Sequence, residues 1–195
     1  MNSTPKIAVI VGSTRPGRNG EQVARWVLEH AQERSDSTYE LVDLADVNLP
    51  LLDEAMPPAM GQYDNEHTRK WSSSIAAFDG FVIVTPEYNH GIPGALKNAL
   101  DYLYGEWNNK AVGFVGYGSH GATRAVEHLR GVAGELQLAD VRAQVSFTLA
   151  TDFEHYSVFK PADHHVAVLH QMLDQLVAWS TALATLRVNS APPER

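Results

Sequence analysis

Hydrophobic positions along this chain switch repeatedly between two periods. Short apolar runs stand at residues 6–11 (K-I-A-V-I-V), 81–84 (F-V-I-V) and 111–115 (A-V-G-F-V). Runs that are apolar on both faces read as strands buried within a parallel sheet. Each is followed by apolar residues at helical spacing. They are Val23, Ala24, Val27, Leu28 and Ala31 after the first run, and Ala95, Leu96, Ala99, Leu100 and Leu103 after the second. Ala125, Val126, Leu129, Val132, Ala133 and Leu136 follow the third. Residues 39–44 alternate as a second strand, and residues 141–147 as a fifth with a polar outer face. The pattern predicts further helices over residues 67–78, with Asp79-Gly80 as the exit turn, and over residues 163–187. Residues 45–65 read as a long edge connection, residues 151–161 as an aromatic-rich one, and residues 188–195 as a frayed tail. Strands alternating with helices predict one α/β domain over residues 1–187, with right-handed crossovers.

The turns that close the three apolar runs carry the candidate chemistry. The first is G-S-T-R-P-G-R-N-G at residues 12–20, entering a helix. Glycines, hydroxyls and a helix N-terminus make an anion site, because backbone N–H groups and the helix dipole point at the anion. Gly12 and Gly17 have the gap of a Walker A loop, yet Arg18-Asn19 follows where Lys-Ser/Thr is required, and G-x-G-x-x-G is absent. The loop therefore suits a single phosphate monoester. Ser13, Arg15, Asn19 and Gly20 are expected around it, with Arg18 and Gln22 near. The second turn, T-P-E-Y-N-H-G-I-P-G at residues 85–94, offers an aromatic face, an amide, a carboxylate and turn backbone. That set suits a planar ligand with polar edges. Tyr88 is expected beside the ring, and the backbone from Pro86 and Glu87 through Asn89 to His90 at its polar edge. The third turn, G-Y-G-S-H-G-A at residues 116–122, has glycines for close backbone approach. Tyr117, Gly118, Ser119 and His120 are expected on the opposite side of the ligand. Three such turns at one sheet edge form the loop plan of a flavodoxin-like fold holding flavin mononucleotide.

Composition sets limits on this picture. The formal net charge is −8 and the pI about 5.5, which argues against nucleic-acid or anionic-membrane partners. No apolar run approaches the roughly 18 residues of a membrane span, and residues 1–6 have no signal-peptide core. There are no cysteines, so thiolate chemistry, disulfides and zinc–thiolate sites are excluded, in keeping with a cytoplasmic protein. Nine histidines invite a metal reading, but His164, His165 and His170 lack H-E-x-x-H spacing, and no metal is expected. Lys97 and Asp101, four apart on one helix, are expected to pair with each other or with a partner subunit rather than with substrate. Ser119 could equally cap the following helix.

With these motifs in view, the chain resembles the NADPH-dependent FMN reductase family over residues 5–187. The matching pieces are residues 12–20, residues 85–103 (T-P-E-Y-N-H-G-I-P-G-A-L-K-N-A-L-D-Y-L) and residues 117–130 (Y-G-S-H-G-A-T-R-A-V-E-H-L-R), with Glu106-Trp107 and the region of Arg69 to Trp71. The resemblance implies an α/β/α sandwich with a five-stranded parallel sheet in the order 2-1-3-4-5. It implies FMN as cofactor and NADPH or NADH as donor. The implied acceptor is a quinone, an azo compound, a metal oxyanion or a flavin. No protein side chain is expected to act as a catalytic group, because the flavin carries the redox step. The family also implies a homodimer or homotetramer. The aromatic helix end at residues 104–107 is the candidate interface, since large exposed aromatics mark such surfaces. Two other functions remain open at this level: a flavodoxin-type electron carrier without NAD(P)H activity, and a flavin-free regulator.

Overall fold

The computed structural model describes residues 4–189. Five strands form one parallel sheet: β1 (Lys6–Val11), β2 (Thr38–Asp43), β3 (Gly80–Pro86), β4 (Lys110–Gly118) and β5 (Leu138–Thr148), in the order β2-β1-β3-β4-β5. This is the expected order. Every residue of β3 and β4 is buried, and in β1 only Lys6 is not. The edge strands β2 and β5 alternate between buried and more exposed positions, as their sequences do.

Two helical layers cover the sheet. Trp71 and Ile75 of α3 (Glu66–Ala76), Leu96 and Leu100 of α4 (Gly94–Asp101) and Leu129 of α5 (Thr123–Glu135) pack with Ile10, Phe81, Ile83 and Phe114. On the other face, Val23 and Val27 of α1 (Gly20–Gln32) and Leu169, Leu173 and Leu176 of α6 (His164–Asn189) pack with Val9, Val82, Val84 and Val115. Successive strand residues point to opposite faces, so one strand feeds both layers. Each buried Leu, Ile or Phe contributes roughly 1.5–3 kcal/mol. Among the described residues no helix is long and apolar enough to cross a membrane.

Several boundaries depart from the sequence pattern. Tertiary pairing lengthens β4 at its end, because Gly116, Tyr117 and Gly118 pair with Ser146, Phe147 and Thr148. The expected third loop therefore begins three residues later than its glycines suggest. Within the expected connection of residues 45–65 lie a short helix, α2 (Leu44–Val47), and a single 3-10 turn, Pro58–Met60. Asp43 caps α2 by accepting from Ala45 N–H at 2.9 Å, which also ends β2 before Leu44. Residues 151–161 hold a small antiparallel hairpin of β6 (Phe153–Glu154) and β7 (Val158–Phe159). Helix α6 continues to Asn189, and the rest of the expected tail lies outside the described residues. Trp107 is not at an exposed helix end. It is fully buried, its ring 4.9 Å from Phe81, with its indole N–H donating to Leu100 O at 3.2 Å. The aromatic argument for an interface there fails.

Two outcomes follow from this packing. A Cβ on Gly116 would come within 2.4 Å of the Gly121 carbonyl oxygen, a backbone atom that cannot step aside. Gly116→Ala is expected to destabilise the fold by about 1–3 kcal/mol, read from the denaturant midpoint. Lys110, 4% exposed, donates to Ile75 O at 2.9 Å at the end of α3. Burial, and secondly the charge of Arg187, lower its pKa from 10.5 to about 8. Between those values the unfolded chain binds this proton more tightly than the folded one, so stability rises with pH across that window. Lys110→Met is expected to flatten the rise; an unchanged pH profile of stability would show the lysine to be ordinary.

Candidate functional site

The ends of β1, β3 and β4 meet at the carboxyl edge of the sheet, where open α/β sheets bind ligands. Loop 1 leaves β1 tightly. Gly12 N–H donates to Val84 O at 2.8 Å, and a Cβ on Gly12 would sit 2.9 Å from that oxygen. Ser13, wholly buried, shares a 2.8 Å hydrogen bond with the Tyr88 hydroxyl and accepts from Arg15 N–H at 3.3 Å. The Arg15 guanidinium lies 5.8 Å from the Tyr88 ring centroid, within reach of a cation–π contact. No acidic side chain among the described residues forms an ion pair with it.

Loop 2 is a two-residue hairpin. Tyr88 and Gly91 exchange backbone hydrogen bonds of 2.9 and 3.1 Å, and Asn89 and His90 between them have φ of 48° and 75°. Positive φ at both central positions is the signature of a type I′ turn. Both residues stand in the left-handed region, which non-glycine residues populate sparsely.

At loop 3 the chain turns from β4 into α5 through Gly121 and Ala122, both with positive φ. Ala122 has no side chain to cap α5, and Ser119 does not cap it either. Glu87 takes that role from loop 2. Its carboxylate accepts from Arg124 N–H at 3.1 Å and Ala125 N–H at 3.4 Å, and pairs with the Arg124 guanidinium. Burial presses the Glu87 pKa upward. The guanidinium and the two amides outweigh it, so the carboxyl stays below its ordinary value.

These loops enclose a cleft of about 210 Å³. Arg15 and Asn19 line it from loop 1, Pro86, Glu87 and Tyr88 from loop 2, and Tyr117, Gly118, Ser119 and Leu149 from the far wall. Two larger hollows exist, of about 280 Å³ beside Thr14 and α4 and about 400 Å³ beside Lys110 and Arg187. Neither draws on all three loops.

Other expected site residues are placed differently. Arg18 turns to the end of β2 and pairs with Asp43 at 2.5 Å, its side chain 16% exposed. The sequence reading missed this partner because Asp43 lies 25 residues away on another strand. Asn19 and Gln22 moor the hairpin of β6 and β7. The Asn19 amide donates to Tyr156 O at 2.9 Å, while Gln22 donates to Ser157 O at 2.8 Å and accepts from Phe159 N–H at 3.1 Å. Tyr117 does not stand open beside the cleft. Its ring is buried beneath Gly20, where a Cβ would come 2.6 Å from the phenol oxygen. Burial above all raises that phenol's pKa. Asn89, His90, Ser119 and His120 are exposed on the rim, and His120 Nδ1 is 3.4 Å from the Arg124 guanidinium. Lys97 and Asp101 pair with each other, one of the two arrangements expected.

A parallel sheet in this order, with its cleft at the switch of strand order, defines the flavodoxin-like class. Comparison with known proteins narrows it: the family model described as NADPH-dependent FMN reductase matches residues 5–152, and the chain belongs to that family. It is an NAD(P)H-dependent oxidoreductase with FMN as cofactor. It is 45% identical to an NAD(P)H-dependent FMN reductase of Schizosaccharomyces pombe over 164 residues, covering 83% of this chain and 82% of that protein. It is 38% identical to a 2-hydroxy-1,4-benzoquinone reductase of a Burkholderia species over 143 residues, covering 68% and 72% respectively. Among solved structures, the flavoenzyme NAD(P)H:(acceptor) oxidoreductase FerB of Paracoccus denitrificans shares the fold. Its TM-score is 0.70 at 21% identity, over 91% of this chain and 98% of that one.

The mooring of the hairpin has a measurable consequence. Gln22→Ala removes two hydrogen bonds to hairpin backbone and Asn19→Ala one, each worth about 1 kcal/mol. Limited proteolysis near residues 154–158 is expected to quicken in both variants, more in the first. Equal resistance to the wild type would mean the hairpin is held by β6 and β7 alone.

Proposed function

We propose that the cleft at the ends of β1, β3 and β4 holds FMN, with the phosphate at loop 1 and the ring between loop 2 and loop 3. One contrast carries this reading. Three helix N-termini face the same edge. That of α5 is filled by the Glu87 carboxylate, whereas those of α1 and α4 have no side-chain cap, and of these two only α1 starts at the cleft, where Arg15 and Asn19 line it. An anion in the cleft is drawn to the start of α1 by its N–H groups and its dipole. Arg15, without an ion pair, stands beside it, while Arg18 and Arg124 are neutralised within the protein.

In this reading Ser13, Arg15, Asn19 and Gly20 hold the phosphate. Tyr88, fixed by its hydroxyl to Ser13, orients the ring, and the backbone of Pro86 to Asn89 and of Gly118 and Ser119 meets its polar atoms. Arg18 and Gln22 act indirectly, by holding the end of β2 and the hairpin. FMN, when bound, supplies two-electron transfer between a nicotinamide donor and an acceptor. The chain has no cysteine, and its site offers no activated nucleophile; the residues bind and orient. His120 stays outside the chemistry, at the rim.

A quinone is the acceptor best supported, by the likeness to the benzoquinone reductase. A homodimer or homotetramer is the proposed working state. Leu51, Leu52, Met56 and Met60, between 41% and 85% exposed, gather in one connection. Demand for a reduced nicotinamide donor supports a cytoplasmic setting.

The purified, FMN-loaded protein is expected to bleach on anaerobic addition of NADPH and regain its colour with a quinone. A flavin that stays yellow would sink the reading. Arg15→Ala is expected to weaken FMN by about tenfold to a hundredfold, the worth of a charge-assisted hydrogen bond. His120→Ala should lose less than about tenfold in turnover, below the contribution of a general acid.

A further inference from the structure

We propose that Glu87 is a positioning residue: by clamping the 86–91 turn onto the N-terminus of α5, it builds the ring side of the cleft before any cofactor arrives. This rests on the assignment of that cleft to FMN. Both carboxylate oxygens are committed. Oε1 pairs with the Arg124 guanidinium, and Oε2 accepts the Arg124 and Ala125 amides. The side chain is 8% exposed. Each oxygen already has a partner within the protein, although the residue lies within the motif that sequence reasoning reads as ligand-binding.

The need for such a clamp is visible on both sides of it. Helix α5 starts from Ala122 in a left-handed conformation, φ 55°, with no capping side chain. Its first amides therefore depend on a residue 37 positions earlier in the chain. On the other side, Asn89 and His90 hold positive φ, a conformation that persists only when the surroundings enforce it. The next residue, Tyr88, carries the connection onward through its hydroxyl to buried Ser13. Two consecutive side chains thus tie loop 2 to loop 3 in one direction and to loop 1 in the other. The end of β4 comes close enough that a Cβ on Gly118 would sit 3.8 Å from the Glu87 nitrogen.

A preformed ring pocket acts on flavins with and without a phosphate alike. Glu87→Ala is therefore expected to weaken FMN and riboflavin by the same factor, about tenfold or more, leaving the ratio of the two affinities at its wild-type value. Glu87→Gln keeps an acceptor for the amides and is expected to restore most of the loss. Arg15→Ala, by contrast, changes the ratio, because only FMN carries the phosphate. In flavin-free protein, hydrogen exchange at the Tyr88 and Gly91 amides should quicken by about tenfold in Glu87→Ala and much less in Glu87→Gln. Unchanged exchange, or a loss of FMN affinity with riboflavin untouched, overturns the clamp. Wild-type protein that binds neither flavin overturns the assignment of the cleft instead, and the positioning role with it.

Discussion

Everything at the functional edge depends on burying three central strands on both faces at once. β1, β3 and β4 expose no face to solvent, so each needs a helical layer above and below. A parallel neighbour can be reached only by crossing over through a helix, and the crossover has one hand. All three strand-to-helix turns must then open at the same edge. The close approach of Gly12 to the Val84 carbonyl shows how far this goes: the first turn is pressed against the third strand before any ligand is considered.

Within that frame the site is organised by which charges the protein satisfies for itself. Three arginines stand around the cleft, and two have carboxylate partners: Asp43 holds Arg18 and Glu87 holds Arg124. Of the helix N-termini at this edge, that of α5 is already occupied by Glu87. What remains at the cleft is a guanidinium without a carboxylate partner among the described residues, beside the uncapped start of α1. In an acidic protein of net charge −8, such a local positive spot gives an anionic ligand both an address and an orientation. The protein contributes placement, and the redox chemistry belongs to the cofactor of the family.

The hydroxyl pair of Ser13 and Tyr88 gives this placement its rigidity. Ser13 is wholly buried and the Tyr88 ring half-buried, so the hydrogen bond between them is shielded from competing water. The strained turn of Asn89 and His90 is held from the same side chain outward. A second turn with two positive-φ residues, His155 and Tyr156, lies on the hairpin moored by Asn19 and Gln22. Both turns are backbone that is costly to form alone and is kept in place by contacts from distant segments.

The sequence by itself determined the five strands of the sheet, the helices that follow them and the three turns that make the edge. Each is written locally. Unbroken apolar runs mark strands buried on both faces, spacing of three and four marks helices, and glycines mark the turns. Membership of the family was legible for the same reason, because its motifs fill those turns. What only the tertiary structure decided is the partner of each polar side chain. Arg18 chose Asp43, Glu87 chose the amides of α5, Asn19 and Gln22 chose the hairpin, and Trp107 went inside. Periodicity reports which face a residue takes along its own element. Whether a charge or an amide serves a ligand or another segment depends on what lies a few ångströms away, and in a doubly wound sheet those neighbours come from far along the chain.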